Sequence, residues 1–168
     1  VKTFSFNIDN LFVDQPVNLK ISAAATSEII TSMSIELYGT QLSTMVFGSI
    51  GDPILATGDS FSSNINLNSP NANIKLTYNN NGNPASSAYL DYISIEATSG
   101  LNFNGGQLTF YNDDLDFESE IVSYQISNGD NILGVWDISD ISNVLEIPHN
   151  QQSNLAFKSV YSLSLIHI

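Results

Sequence analysis

The sequence contains no cysteine, and its 168 residues include only four Lys and Arg together. Without a thiol there can be no disulfide, no thiolate metal site and no cysteine nucleophile within these residues; the absence leaves the compartment open. Those four cations stand against 17 Asp and Glu, for a formal net charge of −13. Nucleic-acid binding neutralises phosphates with basic side chains, so no nucleic-acid partner is expected. An anionic membrane surface would repel the chain for the same reason. No apolar run reaches the roughly 18 residues that a membrane helix needs, so no membrane insertion is expected. The chain opens at Val1 with neither a methionine nor a basic, apolar leader, which suits a processed product or a piece of a longer protein. Sustained 3.6-residue periodicity is missing too, and with it any case for a helical fold.

What is present is alternation. Thr3–Ile8 places Phe4, Phe6 and Ile8 on one face, Val17–Ala23 does so with Val17, Leu19 and Ile21, and Met33–Tyr38 with Met33, Ile35 and Leu37. Gly39-Thr40 reads as a turn into Leu42–Phe47. Ala23–Ile30 reads as a loop, Gly48–Ser60 as turn-rich, and Phe61–Leu67 as a weaker strand. Asn73–Tyr78 alternates again, and the Asn/Gly/Pro stretch Asn79–Ser87 reads as a loop tip. The central pair of runs is Tyr89–Ala97 and Gln107–Tyr111, joined through Gly105-Gly106, where a tight turn or bulge needs positive φ. By parity Tyr89, Asp91, Ile93, Ile95 and Ala97 share one face of the first run. Glu120–Ser127, Ile132–Ile138, Val144–Ile147 and Asn154–Tyr161 complete the strands. About ten to twelve short strands with frequent turn signals predict an all-β, antiparallel sandwich of jelly-roll type. Residues 1–161 are expected to form one such module, with 112–161 as its C-terminal strands.

Three pieces resemble one family: Tyr89–Ala97 with Leu101–Phe110; Tyr124–Ser127 with Asn131–Asp140, which carries Trp136-Asp137; and the aromatic strand Ala156–Tyr161. Together they resemble the β-rich region just before the catalytic domain of PorU-type sortases of the type IX secretion system, gingipain-like cysteine peptidases of Bacteroidota. The resemblance is strongest from Tyr89 to Asp140 and looser over Val17–Gly39. It implies a non-catalytic module at the cell surface, on the exterior of the outer membrane. The implied partners are a downstream peptidase domain and components of the secretion machinery. The family's catalytic Cys and His belong to that downstream domain, and no residue of this chain matches them. Ser164–Ile168 resembles a translated sequencing adaptor, so residues 162–168 are expected to be a non-native tail and the gene to be truncated there.

Candidate sites are few. Asp113, Asp114, Asp116 and Glu118 crowd one short run, and such carboxylates could supply oxygen ligands to calcium. The spacing is not that of an EF-hand and no glycine lies at its middle, so a solvated hairpin tip is the preferred reading. No other cofactor is expected. Gly51-Asp52 and Gly58-Asp59 read as turns, with a shared calcium site as the weaker alternative. Trp136 is read as core or an interdomain contact, with a sugar-stacking role as its functional alternative. Asp137, with Trp136 the candidate binding pair, is read as a partner of turn amides in preference to a general acid. Asp91 and Glu96, five positions apart, are placed on opposite faces, where they cannot act as an acid–base pair. His149 reads as a surface loop residue. No nucleotide loop, HExxH or GxSxG motif is present, so the chain itself is not expected to be an enzyme. The leading expectation is an accessory domain of a cell-surface cysteine peptidase that processes secreted proteins; the alternative is a carbohydrate-binding or adhesion module.

Overall fold

In the computed structural model, residues 1–111, 122–150, 153–159 and 166–167 are described. The chain divides into two compact units, Val1–Gly100 and Leu101–Ile168.

The first unit is an antiparallel β-sandwich, and the alternation of β2 (Val17–Thr26) explains why. Val17, Leu19, Ile21, Ala23 and Ala25 are all buried, while the residues between them are half-buried on the other face. A strand with period two and one apolar face must cover that face with a second layer. β2 lies between β5 (Thr57–Ile65) and β7 (Ser87–Glu96) in a three-stranded sheet. The covering layer has four strands in the order β1 (Lys2–Asn7), β6 (Asn71–Asn79), β3 (Thr31–Leu37) and β4 (Thr40–Phe47). Every pairing in both sheets is antiparallel. The core between them includes Leu19, Ile21, Ile35, Phe47 and Ile74, with Phe4, Phe6 and Ile8 packed at its margin.

The turns differ in detail from the expectation. Tyr38 and Gly39, with φ of 51° and 80°, join β3 to β4, so the turn lies one residue earlier than Gly39-Thr40. Positive φ at both central residues is the type I′ form, whose twist matches that of the flanking strands. β2 runs on to Thr26 where a loop was expected, because Ala23–Ala25 pairs with both Thr57–Asp59 and Ala88–Leu90. Pairing on both sides overrides the weak strand preference of alanine. β5 likewise begins at Thr57, inside the stretch read as turns.

The expected central pair is not a pair. β7 is hydrogen-bonded to β2, whereas the second run contributes only β8 (Thr109–Phe110), which pairs with Ile166–His167. Gly105 and Gly106 do take positive φ, 89° and 81°, but the strands on either side of them belong to different units.

The parity of β7 is also broken. Ser22 pairs with Tyr92, yet Ala23 pairs with Leu90, so Asp91 is an extra residue opposite no partner. This bulge sends Ala88 and Leu90 inward before it and Ile93, Ile95 and Ala97 inward after it. Tyr89, Asp91 and Tyr92 are left exposed. Removing Asp91 would therefore restore a regular ladder with every other side chain on its present face. Deletion of Asp91 is expected to shift Tm by less than about 8 °C, roughly 1 kcal/mol for a unit of this size. Deletion of Ser94 should cost several times more, because it turns one half of the strand over. Thermal melts of the two variants check this.

The second unit is smaller and separately cored. β9 (Val122–Ser127) pairs with β12 (Asn154–Ser159), and β10 (Trp136–Asp137) lies between β11 (Leu145–Glu146) and β13 (Ile166–His167). Tyr124, Ile126, Ile132, Val135, Leu155 and Phe157 form its buried cluster. Tyr124 stacks on Phe157 with centroids 5.3 Å apart and meets Phe110 edge-on at 5.4 Å. The seven-residue strand expected over Ile132–Ile138 shrinks to Trp136–Asp137, preceded by a 3-10 turn at Gly129–Asn131. Two members of the C-terminal stretch read as a tail, Ile166 and His167, pair with both β8 and β10.

Candidate functional site

The outer face of the three-stranded sheet carries a candidate site in the first unit. Register sets its layout. Ser60, Ser22 and Tyr92 lie side by side across β5, β2 and β7; Gly58, Ala24 and Tyr89 form the next outward row. Small side chains on two strands and Tyr89 on the third make a trough with one aromatic wall. It is a shallow groove of about 690 Å3, bordered by Ser22, Ala24, Gly58, Ser60, Tyr89 and Asp91. The bulge contributes directly, because the extra residue places Asp91 on this side, where it accepts from Ser22 Oγ at 3.2 Å.

Asp59 also borders the groove, but its carboxylate is already engaged. It accepts from the amides of Val46 (2.9 Å) and Ser60 (2.8 Å), tying β5 to the edge of β4. Thr57 Oγ1 donates to the Gly48 carbonyl at the same corner (2.7 Å). Asp91 is thus the groove's carboxylate, and the ring of Tyr89, 61% exposed, is its wall. Tyr92, 47% exposed, stands three residues further along the same strand. Lys20 and Glu96 form an ion pair at 2.8 Å beyond it, so Glu96 is spoken for. Asp91 and Glu96 share the outer face after all, since the bulge cancels the odd spacing; the lysine on Glu96 and the serine on Asp91 give each a separate partner.

A second cavity of about 520 Å3 opens at the side of the sandwich and is mostly apolar, lined by Phe4, Met33, Leu76, Tyr78 and Leu90 among others. Tyr89 borders it as well.

The residues singled out from sequence lie elsewhere. Trp136 is half-buried in β10, where its ring covers Gly134. Asp137 is buried, and its Oδ1 accepts from the Ser139 amide at 3.0 Å. That bond holds the turn leaving β10 and occupies the oxygen. Asp113, Asp114, Asp116 and Glu118 lie outside the described residues. Among the described residues no group of three or more His, Cys, Asp or Glu is placed to hold a metal ion. Gly51 does begin a turn, closed by the Ile54 amide on its carbonyl (2.6 Å), but Gly58-Asp59 lies inside β5. The pairing of β5 with β2 along this stretch overrides the turn signal of a Gly-Asp pair. His149 Nδ1 is 3.1 Å from the Ile147 carbonyl.

Tyr89, Tyr92 and Ser22 were not marked by the sequence as a surface. Parity placed Tyr89 and Asp91 with the isoleucines of the core face. The available signal was the phase slip itself: Leu90 and Ile93 are three apart, and an alternating strand that buries both needs an extra residue between them.

No protein family's profile matches the sequence, and no curated protein matches it. Among solved structures, dimeric latent PorU from Porphyromonas gingivalis matches over 99% of this chain with a TM-score of 0.77 at 13% identity. The chain spans 17% of the length of that protein. The CBM36-1 domain of a multidomain xylanase from the hindgut metagenome of Trinervitermes trinervoides matches 58% of this chain and 70% of that domain, at 13% identity and a TM-score of 0.41, too low to argue from. In fold, then, the chain is similar along nearly its whole length to a β-rich segment of PorU.

Proposed function

We propose that this chain is a non-catalytic β-module of a cell-surface peptidase of the PorU type, a gingipain-like cysteine sortase of type IX secretion. In this reading it scaffolds the catalytic domain or contacts the secretion machinery on the exterior of the outer membrane. The observation that carries the reading is the superposition of 99% of the chain on 17% of PorU. It meets the sequence resemblance that runs from Tyr89 to Asp140. The chemistry is consistent with it, because a chain without a cysteine has no thiol to act as nucleophile. Leu133, Ile141, Val144 and Leu145 are all exposed in the second unit, and large apolar side chains of this kind suit a surface that another domain covers.

Two measurements test it. Long-read sequencing of the locus should find a peptidase domain with a Cys/His pair downstream in the same frame; an open reading frame that closes without one would overturn the assignment. The purified chain should cleave no Arg-, Lys- or unbiased peptide library. Turnover that survives repeated purification would overturn the non-catalytic part.

A further inference from the structure

We propose that the outer face of the β5-β2-β7 sheet is a binding site for a neutral oligosaccharide, with Tyr89 and Tyr92 as stacking platforms and Asp91 and Ser22 as hydrogen-bond partners. The site goes beyond the module's scaffolding role and does not depend on it. Tyrosine is an apolar plate with a polar tip, and a pyranose ring has one face of C–H groups that packs on such a plate. Both rings stand on the solvent side of one edge strand, 61% and 47% exposed, with no core function to account for them. The bulge sets them opposite Ala24 and Ser22, two positions apart on β2, so they stand about 7 Å apart along the sheet at ~3.3 Å per residue. That span suits consecutive rings of one sugar chain.

The trough beside them fits the same ligand. Its floor is Gly58 and Ala24, which leave room for a ring to lie flat, and Ser22 and Ser60, which offer hydroxyls. The groove, about 690 Å3, is shallow and open to solvent along its length, as an extended ligand lying across the sheet requires. Asp91 accepts but cannot donate when ionised, so it selects for hydroxyl donors. The same carboxylate, on a chain of net charge −13, repels uronic acids, sulfated sugars and phosphorylated glycans. The ligand class that remains is a neutral glycan. The competing occupant is a polypeptide added to the β7 edge. That mode would use the strand's backbone and not the tyrosine rings.

The test is affinity electrophoresis and calorimetry of the 168-residue chain against soluble neutral polysaccharides (β-glucan, xylan, mannan, galactan, α-glucan) and one acidic polysaccharide. At least one neutral polymer should retard the protein and the acidic one should not. Tyr89→Ala and Tyr92→Ala should each weaken binding about tenfold or more, while Tyr89→Phe, which keeps the plate, retains it. Both alanine variants lie on the surface and should leave Tm within ~3 °C. As a second probe, Ser60→Arg should fill the trough and abolish retardation without unfolding the protein. No retardation by any neutral polymer, retardation by the acidic polymer alone, or equal binding by Tyr89→Ala would each overturn the site. A partner that binds Tyr89→Ala and Tyr92→Ala as well as wild type but is lost when β7 backbone amides are blocked by proline would assign the edge to a polypeptide. None of these outcomes bears on whether a peptidase domain follows at the locus.

Discussion

Phe47→Ala is expected to destabilise the first unit by about 3–5 kcal/mol. Among the described residues Phe47 is the largest fully buried side chain, with no exposed surface, at the end of β4. Its ring lies 6.5 Å from that of Tyr78 on β6, in a tilted arrangement, so truncation removes both the buried area and an aromatic contact. The cavity is bounded by two hydrogen-bonded sheets that cannot slide inward to fill it, which places the cost toward the upper end of the range. For a unit of roughly a hundred residues each kcal/mol moves Tm by about 4–8 °C, so a fall of at least ~12 °C is expected. Its neighbour in sequence supplies the control. Val46 points outward and is 56% exposed, and Val46→Ala should stay within about 0.5 kcal/mol of wild type. A Phe47→Ala melt within ~5 °C of wild type would mean that the sandwich core is not where the alternation of β4 puts it.

The second large effect is conditional. A methyl group at Gly134 would sit inside van der Waals contact of three carbons of the Trp136 ring. The backbone at Gly134 is not left-handed, so alanine there is strained only by that ring. Both residues neighbour the buried Val135, whose carbonyl accepts from the Ile147 amide at 2.8 Å, and this bond limits how far the segment can shift. Gly134→Ala should therefore cost about 3 kcal/mol, the upper part of the overpacking range, since an indole ring moves as one plate. Trp136→Ala should cost a similar ~3 kcal/mol through lost burial, held below the full range by the ring's partial exposure. The double variant should be no less stable than Trp136→Ala alone, a coupling of roughly 3 kcal/mol. Because Trp136 is the protein's one tryptophan, the cycle is read by circular dichroism in denaturant and not by fluorescence. Additive effects would show that Gly134 serves the backbone and not the indole.

Much of the architecture follows from local pattern. Phe4, Phe6 and Ile8, then Val17, Leu19 and Ile21, then Ile74 and Leu76, and at the far end Tyr124 and Ile126 alternate in the sequence and pack inward in the structure. Side-chain alternation is a property of the extended backbone itself, so it can be read without knowing what the strand pairs with. The all-β class and the identity of most core residues were legible for that reason. The candidate groove was not. Its wall depends on one extra residue at Asp91, and a bulge exists only relative to a partner strand, here β2.

Partner choice is likewise invisible to local pattern. Tyr89–Ala97 and Gln107–Tyr111 look like neighbours in the chain, yet their apolar faces join two different cores: Ile93 and Ile95 the first, Leu108 and Phe110 the second. Ile132–Ile138 alternates well enough for a full strand, but only Trp136–Asp137 finds edges to pair with, on β11 and β13. The sequence by itself determined that this protein is built of strands and which side of most of them is apolar. Tertiary structure alone decided which strands pair, where one core stops and the next begins, and that Tyr89 faces water, because hydrogen bonds between distant strands set the register and register sets the face.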